Sequence, residues 1–186
     1  KMKNYDDLVK KYPELFAVEE DSQEPFAHFG FECSIGWYDI IDKACQIIYS
    51  EYKHHLYYAK KYKQDLDNIE KTIQERQSWD KDKTREWIIA CTEQAYDSHS
   101  RAADEERKNL PKTAQIKEKF GTLRWYTDNG SKTSQKIIDF AELMSENTCE
   151  VCGEYGKTYT TGWHKTLCLK HAIEKYGKEK VDQHNS

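Results

Sequence analysis

The chain has 186 residues, of which 33% are charged, 37% hydrophobic and 13% aromatic, with a net charge of −4. Thirteen Tyr, six Phe and five Trp supply more apolar area than a disordered chain carries, and the length suits one domain or one small domain with an extension. The negative balance excludes a whole-molecule basic field for nucleic acid, and no apolar run reaches the length needed to span a bilayer.

The first segment, NYDDLVKKYPELF, predicts a short helix stopped near Pro13, followed by an acidic link, AVEEDSQEP. Lys1 ahead of Met2 is expected to be foreign to the chain, with Met2 the native start, and the polar N-terminus argues against a secretory signal and for the cytoplasm. After an extended aromatic piece and a turn at Gly36, the spacing of Trp37, Ile40, Ile41, Ala44, Cys45, Ile48 and Tyr52 predicts a helix with one apolar face. From Trp37 to Leu110 there is neither glycine nor proline, so helix should run through it.

Ala59, Tyr62, Leu66, Ile69 and Ile73 alternate steps of three and four, the seam of a coiled-coil-like contact. A second stripe, Trp87, Cys91, Gln94 or Ala95, Ser98 and Ala102, follows a polar break at which Asp82 or Thr84 would cap a new helix. A helical hairpin turning near 77–83 is expected, one long bent helix being the alternative. Beyond it, Ala114, Ile116, Phe120, Leu123 and Trp125 recur near period two and predict a strand bulged at Gly121, with Phe120, Leu123 and Trp125 inward and an Asp128-Asn129-Gly130 turn at its end. A helix over KTSQKIIDFAELMSEN then carries Ile137, Phe140 or Ala141, and Met144 on one face.

The sharpest signal is C-terminal. Cys149-Glu150-Val151-Cys152-Gly153 has knuckle spacing, and Cys168 and His171 follow at the start of a predicted helix after a hairpin. Three thiolates and one imidazole make a tetrahedral Zn2+ site of treble-clef or ribbon-like type. With all four positions taken by protein, that zinc would be structural, not catalytic. His164 could compete as a ligand, but it lacks the companion histidine that a His-Asn-His nuclease requires.

The remaining candidates have plainer readings. Cys33, Cys45 and Cys91 sit among apolar neighbours as buried thiols, and a second metal site on His28 and Cys33 would have only two ligands. His54-His55 and Asp97-Ser98-His99 read as solvated helix faces. Lys117, Lys119 and Arg124, interleaved with Phe120 and Trp125, could bind nucleic acid, and Tyr62, Asp65, Asp67, Glu70 and Glu75 offer a surface for a basic partner. No complete catalytic constellation emerges, so binding is favoured over turnover.

Four pieces, KYPELF, GFECSIGWYDIIDKAC, IKEKFGTLRWY and CEVCGEYG with GWHKTLCLKHA, occur in an order that resembles a group of uncharacterised small proteins encoded by bacteriophages and prophages. The segment from about Tyr52 to Leu110 falls outside that resemblance and reads as an insertion. The resemblance implies action inside a bacterial cell, as an inhibitor of a host defence complex such as a CRISPR nuclease. The expected fold is α+β, with a small aromatic core and short sheet (2–52 and 111–147), a projecting helical hairpin (53–110) and a zinc module (148–181). A small nuclease and a direct nucleic-acid binder are the alternatives.

Overall fold

A computed structural model describes residues 3–16, 30–160 and 162–185, the side chain of residue 185 excepted. The acidic link, His28 and the pair Lys1 and Met2 lie outside the described residues. The fold is mixed α and β and divides into two compact units, one formed by Lys1–Ile48 with Leu110–Ser186, the other by Tyr49–Asn109. No helix among the described residues is long and apolar enough to cross a membrane.

In the first unit, α1 (Tyr5–Lys11) opens at Asn4, whose side chain accepts from the Asp6 amide, with acidic residues in its first turn and Lys10 and Lys11 in its last. Its one buried residue, Leu8, joins Tyr12, Leu15 and Phe16 in the core. A 3-10 turn, Ile35–Trp37, leads into α2 (Tyr38–Ile48). Strand β1 (Phe31–Glu32) pairs parallel with β2 (Lys112–Lys119), and β2 pairs antiparallel with β3 (Thr122–Asp128). Phe16 lies 6.4 Å from Trp125 and 5.4 Å from Phe31, ring centre to ring centre, and the Trp125 indole donates to the Thr113 hydroxyl at 3.1 Å.

The single bulged strand expected over residues 112–128 is a hairpin. Phe120 and Gly121 have φ of 55° and 80°, both left-handed, the two-residue turn whose twist suits paired strands. The register shift lies between Thr113 and Gln115, not at Gly121. Phe120 is therefore at the turn, 63% exposed, while Leu123 and Trp125 are buried as alternation requires.

Helix α6 spans Lys132–Ser145. It buries Ser134, Ile138, Ala141 and Ser145, whereas Phe140 and Met144 remain exposed in an apolar groove beside Ile40 and Ile47 of α2. Serines can occupy core positions here because their hydroxyls are spent: Ser134 on the Ser131 carbonyl, Ser145 on the Leu123 amide. Together with Glu142, which accepts from the Trp125 amide at 2.7 Å, Ser145 closes the free edge of β3. The unit ends with β4 (Lys157–Tyr159), β5 (Lys165–Leu167), α7 (Leu169–Tyr176) and α8 (Lys178–Asn185).

The second unit contains α3 (Ser50–Asp67), α4 (Ile69–Trp79) and α5 (Arg85–Asn109), with α3 packed chiefly on α5. The chain breaks at Asn68, whose side-chain amide donates to the Gln64 carbonyl, a local bond that competes with the helix. Thr84 accepts from the Trp87 amide and starts α5. That cap sets a register one residue away from the expected stripe. Ile88, Thr92 and Ala103 are buried, and Trp87 is 48% exposed under the Lys83 ammonium.

Left-handed φ at an exposed Phe stores strain of about 1 kcal/mol. Replacing Phe120 by Asn, the residue such turns favour before glycine, should raise stability by about that amount in chemical denaturation. A lower midpoint would show that the Phe120 side chain contributes packing.

Candidate metal centre

Three segments build the C-terminal cluster. The first is the knuckle Cys149–Gly153, in which the Gly153 amide donates to the Cys149 carbonyl at 2.9 Å and the Cys149 amide to the Glu154 carbonyl at 2.8 Å. The second is the β4–β5 hairpin, anchored where the Glu150 amide donates to the Thr166 carbonyl at 3.0 Å. The third is α7: Cys168 is its N-cap residue and His171 lies in its first turn. Beneath them, Cys149, Tyr159, Leu167, Ala172 and Val181 form a small buried core.

The four side chains expected as ligands are brought together. Cys149, Cys152, Cys168 and His171 place one ligand atom each within 4.8 Å of all the others. His171 Nδ1 is 3.4 Å from Cys149 Sγ and 3.1 Å from Cys168 Sγ, and the Cys152 and Cys168 sulfurs are 3.8 Å apart. Its other ring nitrogen faces the Glu174 carboxylate at 3.9 Å, on the side where an orienting group belongs.

The local electrostatics suit a cation. Burial pushes the Cys149 thiol up, but backbone amides of Cys168, Cys152 and Val151 directed at it outweigh burial and bring it down to about 7. Cys152 is pushed up to about 11, by burial first and then by the neighbouring sulfurs. The sulfurs therefore resist ionising together, and a bound divalent ion removes that resistance.

The knuckle is seated by residues more than a hundred positions upstream. The Gly36 amide donates to the Glu150 carbonyl at 2.9 Å and the Trp37 indole to the Thr148 carbonyl at 2.8 Å. A Cβ on Gly36 would lie 2.2 Å from the Cys149 carbonyl oxygen, and one on Gly153 would lie 2.9 Å from the Gly36 oxygen. Only two glycines allow this approach.

Lys165 is the second brace. Its ammonium lies 3.0 Å from the Glu118 carboxylate of β2 and 2.9 Å from that of Glu150 in the knuckle, with all three side chains largely buried. Burial would lower the Lys165 pKa, but the two carboxylates hold it above the usual lysine value. Glu118 is held below its ordinary range: burial opposes this, and the Gly121 amide and Lys165 overcome it. Glu150 goes the other way, since its burial outweighs Lys165 and the like charge of Glu118 adds to it. The sequence signals a turn at Gly36 but neither its seat against the knuckle nor this triad, because a long-range backbone contact and three scattered charges have no spacing to read.

The other candidates are dispersed or already engaged. Cys33 meets the Tyr5 hydroxyl and burial raises its thiol to about 11, Cys45 is buried, and Cys91 belongs to the second unit. His164 is exposed against the Phe120 ring. Asp65 pairs with Arg76 at 3.6 Å, Glu75 with Lys71 at 3.7 Å and Glu70 with Arg85; Asp67 is exposed, and Tyr62 stacks on His99. Lys117 and Arg124 are cross-strand neighbours, with Lys119 two residues along the same face. Comparison of the chain with protein-family models, curated proteins and solved structures returns no match.

Two substitutions test the seating. Gly36→Ala should destabilise the protein by about 3 kcal/mol, the upper end for overpacking, and speed metal release to a colorimetric chelator. Unchanged melting and release would mean that the backbones separate at no cost. Lys165→Met, which leaves two carboxylates facing each other, should cost about 3 kcal/mol in denaturant unfolding. Adding Glu118→Gln to it should recover part of that loss, and a purely additive double variant would deny the coupling.

Proposed function

We propose that this protein is a zinc-stabilised binding protein that acts stoichiometrically on a bacterial partner. Zinc with sulfur at 2.3 Å and nitrogen near 2.05 Å gives tetrahedron edges of about 3.8 Å between sulfurs and about 3.6 Å between sulfur and nitrogen. The Cys152–Cys168 separation of 3.8 Å and the Cys149–His171 separation of 3.4 Å are near these, and Cys168 and His171 are closer, at 3.1 Å. Knuckle, hairpin and ligand-bearing helix make a treble-clef module whose zinc supplies folding energy to a small core.

The observation that carries the binding role is Phe120. A large aromatic side chain is held outward in a strained turn, with His164 of the β4–β5 hairpin against its ring and Trp163, the adjacent residue in that hairpin, 72% exposed. The two tips are joined at Gly121, whose carbonyl accepts from the Thr166 hydroxyl at 2.6 Å. Strain kept at an exposed residue is a mark of function, and aromatic anchors dominate protein interfaces. The resemblance to phage-encoded proteins makes a host defence complex, such as a CRISPR nuclease, the first partner to test.

A second reading rests on one observation. Lys117, Lys119, Arg124 and Tyr126 share a face of the sheet next to Phe120, which suits a single-stranded nucleic acid.

Purified protein should carry zinc in the C-terminal site and inhibit its target in proportion to molar ratio, leaving DNA and RNA uncut with magnesium or manganese present. Trp163→Ala and Phe120→Asn should abolish inhibition with zinc content and circular dichroism unchanged. Inhibition at catalytic ratios, or inhibition untouched by both substitutions, would defeat this reading. Salt-dependent oligonucleotide binding that Lys117→Glu and Arg124→Glu remove would favour the second.

A further inference from the structure

The seam of the second unit contains an anomaly. Along α3 the inward positions are Tyr52, His55, Ala59, Tyr62 and Leu66; along α5 they are Ile88, Thr92, Ala95, His99 and Ala103. Such seams take apolar residues, and a polar group placed there needs a partner. Here each helix puts one histidine at the contact, and the two meet. His55 Nδ1 is 3.0 Å from His99 Nδ1.

A third imidazole completes the group. His54, His55 and His99 place one ring nitrogen each within 4.8 Å of the others. The His54 ring centre is 5.2 Å from that of His55 and 6.1 Å from that of His99. Tyr58 and Tyr62 stack on the His99 ring, at 5.2 and 5.8 Å, and Tyr58 also touches His54 at 4.9 Å. Tyrosine packing thus fixes the orientation of the central ligand, as precise metal sites require.

We propose that His54, His55 and His99 form a second metal site, distinct from the cysteine cluster, that takes a transition-metal dication and pins α3 to α5. Nitrogen ligands about 2.05 Å from one ion stand about 3.3 Å apart in a tetrahedron and about 2.9 Å apart at right angles, and the 3.0 Å separation of His55 and His99 falls between these. The donor set is all imidazole. It selects zinc, nickel, cobalt or copper over magnesium and calcium, which want oxygen.

Burial first, then the neighbouring imidazoles of His55 and His54, lowers the His99 pKa. No thiolate or carboxylate belongs to the group, so this site binds more weakly than the cysteine cluster and fills after it. Three protein ligands leave a position for water. His54 is exposed, which gives the ion a route in.

The test uses the full chain already carrying zinc at the cysteine cluster, titrated with Co2+. A second equivalent should bind, with weak visible ligand-field bands and without the near-ultraviolet sulfur-to-cobalt band that thiolates produce. The melting temperature should rise with Co2+ concentration. His55→Gln and His99→Gln should each abolish the second equivalent while zinc stays bound. Because both sit in the seam, His54→Gln at the exposed position serves as the variant that disturbs packing least, and it should weaken Co2+ binding at least about tenfold. A stoichiometry that stays at one metal, a second ion that survives all three substitutions, or a second ion showing the sulfur band would each overturn the assignment and leave an imidazole–imidazole hydrogen bond in its place.

Discussion

The architecture of the first unit depends on one close approach of backbone to backbone. Gly36 lies against the Cys149–Glu150 peptide so closely that a methyl group would stand 2.2 Å from a carbonyl oxygen, and the adjoining Trp37 indole closes on Thr148. Such contact couples two segments far apart in the chain. The turn that starts α2 cannot sit correctly unless the knuckle is formed, and the knuckle gains its support from that turn. A metal at the four ligands would thus organise more than its own hairpin.

Polar bonds complete what a modest apolar core leaves open. Ser145 and Glu142 tie the sheet to α6 and the Trp125 indole ties β3 to β2 through Thr113, while Lys165 links β2 to the knuckle through two carboxylates. These groups are costly when unpartnered and directional when satisfied. They give a chain with one third of its residues charged a definite arrangement where hydrophobic area alone would be less selective.

Two clusters of metal-ligating side chains differ in a way that separates their roles. Cys149, Cys152, Cys168 and His171 would fill all four positions around an ion, with nothing left for a substrate, whereas His54, His55 and His99 offer three imidazoles, one of them exposed, and would leave a position open. The first suits a permanent staple, the second an ion that comes and goes. Phe120 and Trp163 belong to neither cluster and are exposed.

The cluster of Cys149, Cys152, Cys168 and His171 was legible because its pattern is local: two lie within one turn of chain and the other two within one turn of helix. The glycine-free helical stretch and the alternation of Leu123 and Trp125 were legible for the same reason, since a period of 3.6 or 2 is written into adjacent residues. Other features needed the folded chain. Phe120 reads as core by alternation until two left-handed residues turn it outward. Trp87 and Ile88 are equally apolar neighbours, and only the Thr84 cap decides which faces inward. Serines at 134 and 145 look like surface until their hydroxyls find backbone partners. The pair His54-His55 and the more distant His99 read as solvated positions more than forty residues apart; the packing of α3 on α5 makes them a cluster, because distance in space between helices is set by side-chain packing that no local period encodes.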